Sequence, residues 1–167
     1  MTIIIKNKET LLYDDFKFKC SVGKKGFSKN KKEGDYTTPK GIFRLGNIYY
    51  RADRIEKPKS KLKTIAIKKE MGWCDDSNSR HYNKIIKLPS SYKHEKLYKK
   101  ENIYDIIIVL NYNMDPIVKN KGSAIFIHVA KKNYKKTEGC IAVKKAHLLK
   151  IAKDLKKKTM VLIESRK

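Results

Sequence analysis

Cys140 and His128 are the residues of this chain whose types and spacing are best suited to covalent chemistry. His128 lies near the end of an apolar run, and Cys140 follows it by twelve positions, directly after a glycine. A thiol attacks as thiolate, and a neighbouring imidazole is the commonest group that takes its proton. Either residue alone would suit a buried core position. Their combination favours a catalytic pair, which a short loop would bring together.

The residues around Cys140 predict a place for negative charge. Gly139 would let the backbone approach a substrate closely, and we expect a helix to begin just after Cys140. Backbone N–H groups ahead of a helix can hold a developing oxyanion. We therefore predict that the backbone of Thr137 and Gly139 supplies this stabilisation.

Length and composition predict one globular domain spanning residues 1–167, with 40% hydrophobic residues. Three cysteines at these spacings match no zinc motif, so we expect no metal and at least one free thiol. The N-terminus shows no basic segment followed by an apolar core, so we expect no signal peptide. No apolar run is long enough to cross a membrane.

The net charge of +24 favours polyanionic partners. However, only five of the 41 basic residues are arginine, and the abundance of Lys, Ile and Asn is typical of an A/T-rich genome. No zinc-finger spacing, RNP-like aromatic motif or recognition helix supports nucleic-acid binding, so we expect no nucleic-acid partner. The few arginines could bind carboxylates with a forked geometry, or form ordinary ion pairs.

Hydrophobic periodicity predicts a β-rich domain with one or two helices. The segments 104–111 and 122–130 are typical of buried strands, the latter carrying His128. Segment 94–99 could form one or two helical turns, and segment 72–84 is expected to be irregular. The apolar repeat over 144–157 predicts an amphipathic helix, followed by a closing strand at 159–163.

Two ordered motifs resemble the YkuD family of L,D-transpeptidase catalytic domains. Thr137-Glu138-Gly139-Cys140 is similar to its Ser/Thr-x-Gly-Cys motif, with His128 as the upstream partner. Thr38-Pro39-Lys40-Gly41-Ile42-Phe43 is similar to its Thr-Pro-x-Gly-x-Phe element. The resemblance implies a β-sandwich enzyme of the periplasm or cell wall, with no cofactor. The route by which the chain would be exported is left open.

The resemblance also implies a reaction. Cys140 would form a thioester with a peptidoglycan stem peptide at position-3 diaminopimelate, and an amine of a second stem would resolve it. Carbapenem-type β-lactams would acylate the same sulfur. The family often orients the histidine through a backbone carbonyl in the loop before the cysteine, and Glu138 is a weaker side-chain alternative.

Several features depart from the common family pattern, including Glu138 before the glycine, Ala142 after the cysteine and the short His-to-Cys spacing. Other segments look like a compact alphaproteobacterial subgroup linked to 1,3-type cross-links. The resemblance leaves open whether 1,3 or 3,3 bonds are formed.

Stem peptides carry free carboxylates and amines, which predicts charged and aromatic residues in the substrate cleft. The candidates are Arg51, Arg54, Trp73, Asp75, Tyr82, Asn83 and Tyr104. Trp73 could instead be plain core, and Asp53 could pair with either arginine. Two other functions remain open: an L,D-carboxypeptidase that hydrolyses the thioester, and a non-catalytic cationic protein that binds the cell wall.

Overall fold

The computed structural model describes residues 2–164 of the protein, within which fourteen strands and one α-helix are found. The strands in chain order are β1 (Thr2–Asn7), β2 (Thr10–Tyr13), β3 (Phe16–Ser21), β4 (Phe27–Ser28), β5 (Thr38–Pro39), β6 (Gly41–Tyr50), β7 (Thr64–Ala66), β8 (Met71–Cys74), β9 (Ile85–Lys87), β10 (His94–Lys96), β11 (Ile106–Leu110), β12 (Phe126–Val129), β13 (Ile141–Val143) and β14 (Met160–Ile163). The helix α1 is Lys145–Asp154, and short 3-10 turns occupy Asn102–Tyr104 and Lys132–Tyr134. The predicted mostly-β class is confirmed.

Nine strands form one sheet in the order β11-β12-β13-β3-β2-β1-β14-β6-β7. The long strand β6 pairs with β14 through residues 41–44 and with β11 through residues 45–50. A register shift between residues 108 and 110 of β11 marks an irregularity in this second pairing. Because β11 thereby pairs with both β6 and β12, the sheet closes on itself around a common interior.

The interior of the closed sheet is the main hydrophobic core. Along a strand, successive side chains point alternately into and away from this core. In β1, Ile3 and Ile5 are fully buried whereas Ile4 between them is partly exposed. Across the interior they share one cluster with Ile108 of β11 and Ile127 of β12. Each such side chain contributes about 1.5–3 kcal/mol by leaving water, so this core holds the strand that carries His128 in place.

A second hydrophobic cluster lies on the opposite face of β11 and β12. It contains Tyr49, Trp73, Leu97, Tyr104 and Phe126, several of them from segments outside the nine-stranded sheet. Trp73 belongs to a three-stranded sheet in the order β10-β8-β9. The small sheet therefore supplies part of the wall beside Cys140, which packs at the border of this cluster.

The helix confirms the predicted amphipathic segment but is shorter than expected. It buries Leu148, Ile151 and Ala152, and it ends before Leu155, whose backbone is extended at φ −64° and ψ 137°. Leu155 itself is fully buried, so the chain leaves the helix to insert that side chain into the core. Among the described residues no helix is long and apolar enough to span a membrane.

Three local predictions were wrong. Residues 94–96 are not helical but form β10, which pairs with β8 in the register His94↔Cys74. Residues 71–74, assigned mainly to an irregular segment, form the β8 partner. No helix begins directly after Cys140, because β13 follows it and α1 starts only at Lys145.

Two strands that were predicted begin later than expected. β12 starts at Phe126 because Gly122 and Ala124 have positive φ angles of 104° and 52°, which a strand cannot accommodate. β11 starts at Ile106, after the 3-10 turn that contains Tyr104. The positive-φ segment before β12 carries Ala124, whose carbonyl accepts a hydrogen bond from the Cys140 thiol.

Candidate active site

Strand register and packing bring Cys140 and His128 to the same face of the sheet. β12 and β13 run parallel, with Ile127 opposite Ile141 and His128 opposite Ala142. Opposed residues on neighbouring strands share a face, and residues two apart on one strand do too. Cys140 directly precedes β13 and packs against the second hydrophobic cluster, the same cluster whose Tyr104 ring meets the His128 ring. The sulfur is anchored to the neighbouring strand, since Phe126 N–H donates to Cys140 Sγ at 3.3 Å.

The Cys140 thiol is protonated in the resting site. Its S–H donates to the Ala124 carbonyl at 3.2 Å, the oxygen that the positive-φ segment presents. Burial raises the pKa of this thiol to about 12, and the Phe126 N–H acts in the opposite direction without cancelling that effect. Cys140 is nevertheless partly exposed, whereas Cys20 and Cys74 are buried. The candidate site therefore holds a reachable neutral thiol.

The His128 ring is oriented by a backbone carbonyl. Its Nδ1 lies 2.9 Å from the Val129 oxygen, and because a carbonyl only accepts, Nδ1 carries the proton. In the neutral ring the second nitrogen, Nε2, is then the free base. Burial lowers the pKa of His128 to about 4, so the ring is uncharged at neutral pH. The orienting oxygen belongs to Val129 rather than to the loop before Cys140, and Glu138 is exposed.

The side chain of Thr137 holds the turn from Thr137 to Cys140. Thr137 Oγ1 donates to the Cys140 carbonyl at 2.6 Å and accepts from Gly139 N–H at 3.1 Å. Thr137 N–H donates to the Val22 carbonyl at 3.0 Å. The two N–H groups predicted to stabilise an oxyanion are thus both engaged in the resting structure.

Gly139 occupies a position that no side chain could share. Its φ is +147°, and a Cβ built there would lie 2.8 Å from the Thr37 carbonyl oxygen. Thr38, from the upstream motif, donates through Oγ1 to the Gly139 carbonyl at 2.8 Å. The same Oγ1 accepts from Gly23 N–H at 2.9 Å. The two motifs recognised in the sequence therefore meet at one buried contact.

The model of the YkuD family, described as the L,D-transpeptidase catalytic domain, matches residues 1–163. The chain belongs to this family. No curated protein matches the sequence. The family acts on peptidoglycan stem peptides, and the mostly-β fold of this transpeptidase domain agrees with that membership.

Trp73 and Tyr104 form an aromatic wall of the candidate site. The Tyr104 ring meets the His128 ring edge-on at 5.5 Å and the Phe126 ring at 6.1 Å. Trp73 meets Phe126 at 5.2 Å in the same geometry. Both predicted cleft residues are brought to the site, yet both are buried, so they support the imidazole and the strand beneath it.

Asn83 and Tyr82 organise the segment before β12. Asn83 Oδ1 accepts from Ala124 N–H at 3.1 Å and from Trp73 Nε1 at 3.0 Å. Tyr82 Oη accepts from Gly122 N–H at 3.0 Å and donates to Glu33. Because Ala124 supplies the acceptor for the Cys140 thiol, these two buried residues position that thiol indirectly.

Arg51 and Arg54 are engaged by internal partners. Arg51 forks onto Asp53 through Nε at 2.8 Å and Nη2 at 2.7 Å, and its guanidinium stacks 3.6 Å from the centre of the Tyr98 ring. Arg54 Nη1 bonds Asp105 Oδ1 at 2.9 Å. Further bonds run to the backbone of residues 99–101. This arrangement favours a role in fastening two loops over the predicted contact with substrate.

Asp75 is the predicted cleft residue with a free acceptor. Its Oδ1 is buried and has no hydrogen-bond partner among residues 2–164. Burial raises the pKa of this carboxyl group, and Lys93 opposes that effect. Its role toward substrate stays a prediction. Within the same described range, no group of three or more His, Cys, Asp or Glu side chains could hold a metal ion.

Sequence reasoning missed four residues that shape the site: Lys31, Asp35, Glu95 and Ala124. Glu95 accepts from Tyr104 Oη at 2.9 Å and pairs with Lys99 at 2.7 Å. Ala124 acts through its carbonyl, and a backbone acceptor leaves no mark on residue type. Lys31 and Glu95 are two of many charged residues in this chain, so only their burial or ion pairing distinguishes them from ordinary surface charges.

Proposed function

We propose that the protein is a peptidoglycan L,D-transpeptidase of the periplasm or cell wall, with Cys140 as nucleophile and His128 as general base. The observation that carries the proposal is the placement of both residues beside the second hydrophobic cluster, with the histidine tautomer selected by Val129. Family membership supports the reaction class, and the neutral state of both groups supports a base that works during attack.

In the first half-reaction, Cys140 sulfur attacks the carbonyl of position-3 diaminopimelate while its proton passes to His128 Nε2. The C–N bond to the terminal D-residue then breaks, and the imidazolium returns the proton to the leaving amine. A thioester between Cys140 and the stem remains. Since Nδ1 keeps its hydrogen bond to Val129 throughout, the ring stays oriented while it becomes charged.

In the second half-reaction, an amine of another stem attacks the thioester carbonyl and gives its proton to His128. The C–S bond breaks, an amide forms, and the sulfur regains its proton. If water attacks in place of the amine, the same intermediate gives a carboxylate and the enzyme is an L,D-carboxypeptidase. The carbonyl that forms the thioester and the amine that accepts it together determine whether 1,3 or 3,3 cross-links result.

Acylation by a carbapenem tests the nucleophile directly. We expect intact mass spectrometry to show one adduct on the wild type and none on Cys140→Ala. The matched control Cys74→Ala removes a buried thiol and should still acylate. A folded wild type that forms no adduct would instead support a non-catalytic wall-binding protein, and an adduct on Cys140→Ala would assign the acylated nucleophile to another residue.

Products formed from purified muropeptides identify the acceptor. A transpeptidase yields cross-linked dimers, and fragmentation of these dimers distinguishes 1,3 from 3,3 bonds. Formation of tripeptide stems without dimers would assign the chain as a carboxypeptidase. Loss of all product in His128→Asn, with the fold retained, is the expected sign that His128 is the base.

A further inference from the structure

Lys31 extends a buried ammonium group beneath the turn that carries Cys140. Its side chain is 3% exposed. A Cβ built on Gly122 would lie 2.9 Å from Lys31 Cε, and one built on Gly139 would lie 3.4 Å from Lys31 Nζ. Because Gly122 and Gly139 have no side chains, Lys31 has room to reach Gly139, the residue before Cys140.

An ionised carboxylate holds the ammonium in place. Lys31 Nζ bonds Asp35 Oδ1 at 2.7 Å and lies 3.4 Å from the Lys32 carbonyl. Asp35 also accepts from the N–H of Lys32 at 2.7 Å, and from the N–H and hydroxyl of Thr37 at 2.9 and 2.8 Å. Although burial opposes ionisation, these bonds lower the pKa of Asp35 to about 2. The cation is therefore fixed in one place, which is the condition for preorganised electrostatic stabilisation.

The charges that face Cys140 come from several elements. Burial, Glu95 of β10 and Glu138 of the turn disfavour a negative sulfur, whereas the Phe126 N–H and Lys31 favour it. Tyr104 and His128 face it as neutral groups. The N–H groups of Thr137 and Gly139 are already engaged. Lys31 is thus a buried cation in a place where attack creates negative charge.

We propose that Lys31 is a positioning residue whose fixed charge stabilises the negative charge that develops on Cys140 sulfur, and on the acyl oxygen, during attack. The acyl-oxygen part of this inference rests on the proposed function, whereas the effect on sulfur does not. No bond to Lys31 forms or breaks, and its proton stays on the ammonium.

Alkylation of Cys140 by iodoacetamide tests the charge effect without requiring enzymatic activity. At a fixed pH of about 9, below the pKa of the thiol, the rate follows the thiolate fraction. We expect the rate at the Cys140 peptide, measured by mass spectrometry, to fall at least about tenfold in Lys31→Met. Lys31→Arg should keep most of the rate. The matched control Lys32→Met removes an exposed lysine and should alkylate like the wild type.

The double variant Lys31→Met/Asp35→Asn separates charge from folding, because it removes the ion pair and leaves no unpaired buried carboxylate. If Lys31 only stabilises the loop, the alkylation and carbapenem acylation rates of the variants should follow their free energies of unfolding in urea. Our proposal predicts that both reactions stay slow in Lys31→Met and in the double variant, whatever their stability. Wild-type rates in either Lys31→Met or the double variant would overturn the proposal.

The two proposals fail in different ways. If the wild type forms no carbapenem adduct, the transpeptidase assignment fails, whereas the alkylation rates still decide whether Lys31 favours the thiolate. If the wild type forms the adduct and Lys31→Met reacts equally fast with both reagents, the assignment stands and the role of Lys31 is overturned.

Discussion

Thr38 Oγ1 donates a 2.8 Å hydrogen bond to the carbonyl of Gly139, 101 positions further along the chain. Both residues belong to short motifs, and this bond is where the motifs touch. Thr38 is fully buried and also accepts from Gly23 N–H. One hydroxyl group therefore joins an upstream loop to the turn that presents the candidate nucleophile.

Replacing Thr38 by valine keeps its shape but removes both hydrogen bonds. Each buried group left without a partner costs about 1–3 kcal/mol, so we expect a clear loss in the free energy of unfolding. We also expect slower carbapenem acylation, because the Gly139 carbonyl is released. Urea unfolding and adduct formation over time measure the two effects. Thr10→Val, a half-buried strand position, is the control, and equal behaviour of the two variants would contradict the prediction.

We expect Gly139→Ala to destabilise the protein for two reasons, the positive φ angle and the contact of the new Cβ with backbone. The same substitution at Gly34 tests the first reason alone. Gly139 and Gly34 both have positive φ, at +147° and +70°, but only at Gly139 would a Cβ meet backbone, 2.8 Å from Thr37 O. Nothing lies within 4 Å of a Cβ on Gly34. Gly34→Ala should therefore cost only about 1–2 kcal/mol of conformational strain. Gly139→Ala should cost more and abolish acylation. Similar unfolding free energies for both variants would refute the role of the close approach.

The low pKa of His128 predicts a pH dependence of stability. With a pKa of about 4 in the folded state against 6.5 as the ordinary value, the unfolded chain binds more protons between these values. The free energy of unfolding should therefore fall as pH drops from about 6.5 to 4, by up to about 3 kcal/mol from this group. His128→Asn should flatten that slope in urea titrations. An unchanged slope in His128→Asn would show that other groups cause it.

Arg51→Lys tests whether this guanidinium fastens loops or binds substrate. Lysine cannot reproduce the fork onto Asp53 or the stacking on Tyr98. We expect the melting temperature to fall by roughly 2–8 °C, with the KM for muropeptides unchanged in the folded fraction. Arg80→Lys, at an exposed position, is the control for the substitution itself. A raised KM without a change in melting temperature would support the predicted contact of Arg51 with substrate.

The strongest local patterns predicted their elements well. The apolar repeat before residue 157 gave the helix with Leu148 and Ile151 buried, and the apolar run around His128 gave a buried strand. These patterns succeed because burial of one face depends on residues close in sequence. The segment at 94–96 failed because a short charged strand is stabilised by its distant partner, Cys74 and its neighbours, and not by its own residues.

The sequence by itself determined the mostly-β class and the family, and it predicted the Cys140–His128 pair, because residue type and motif spacing carry that information. Only the tertiary structure decided the charge state and support of the pair. The neutral thiol, the Val129 carbonyl that orients the imidazole, and the buried Lys31 all depend on desolvation and backbone groups. Burial and backbone direction arise from chain segments far apart in sequence, and no residue letter records them.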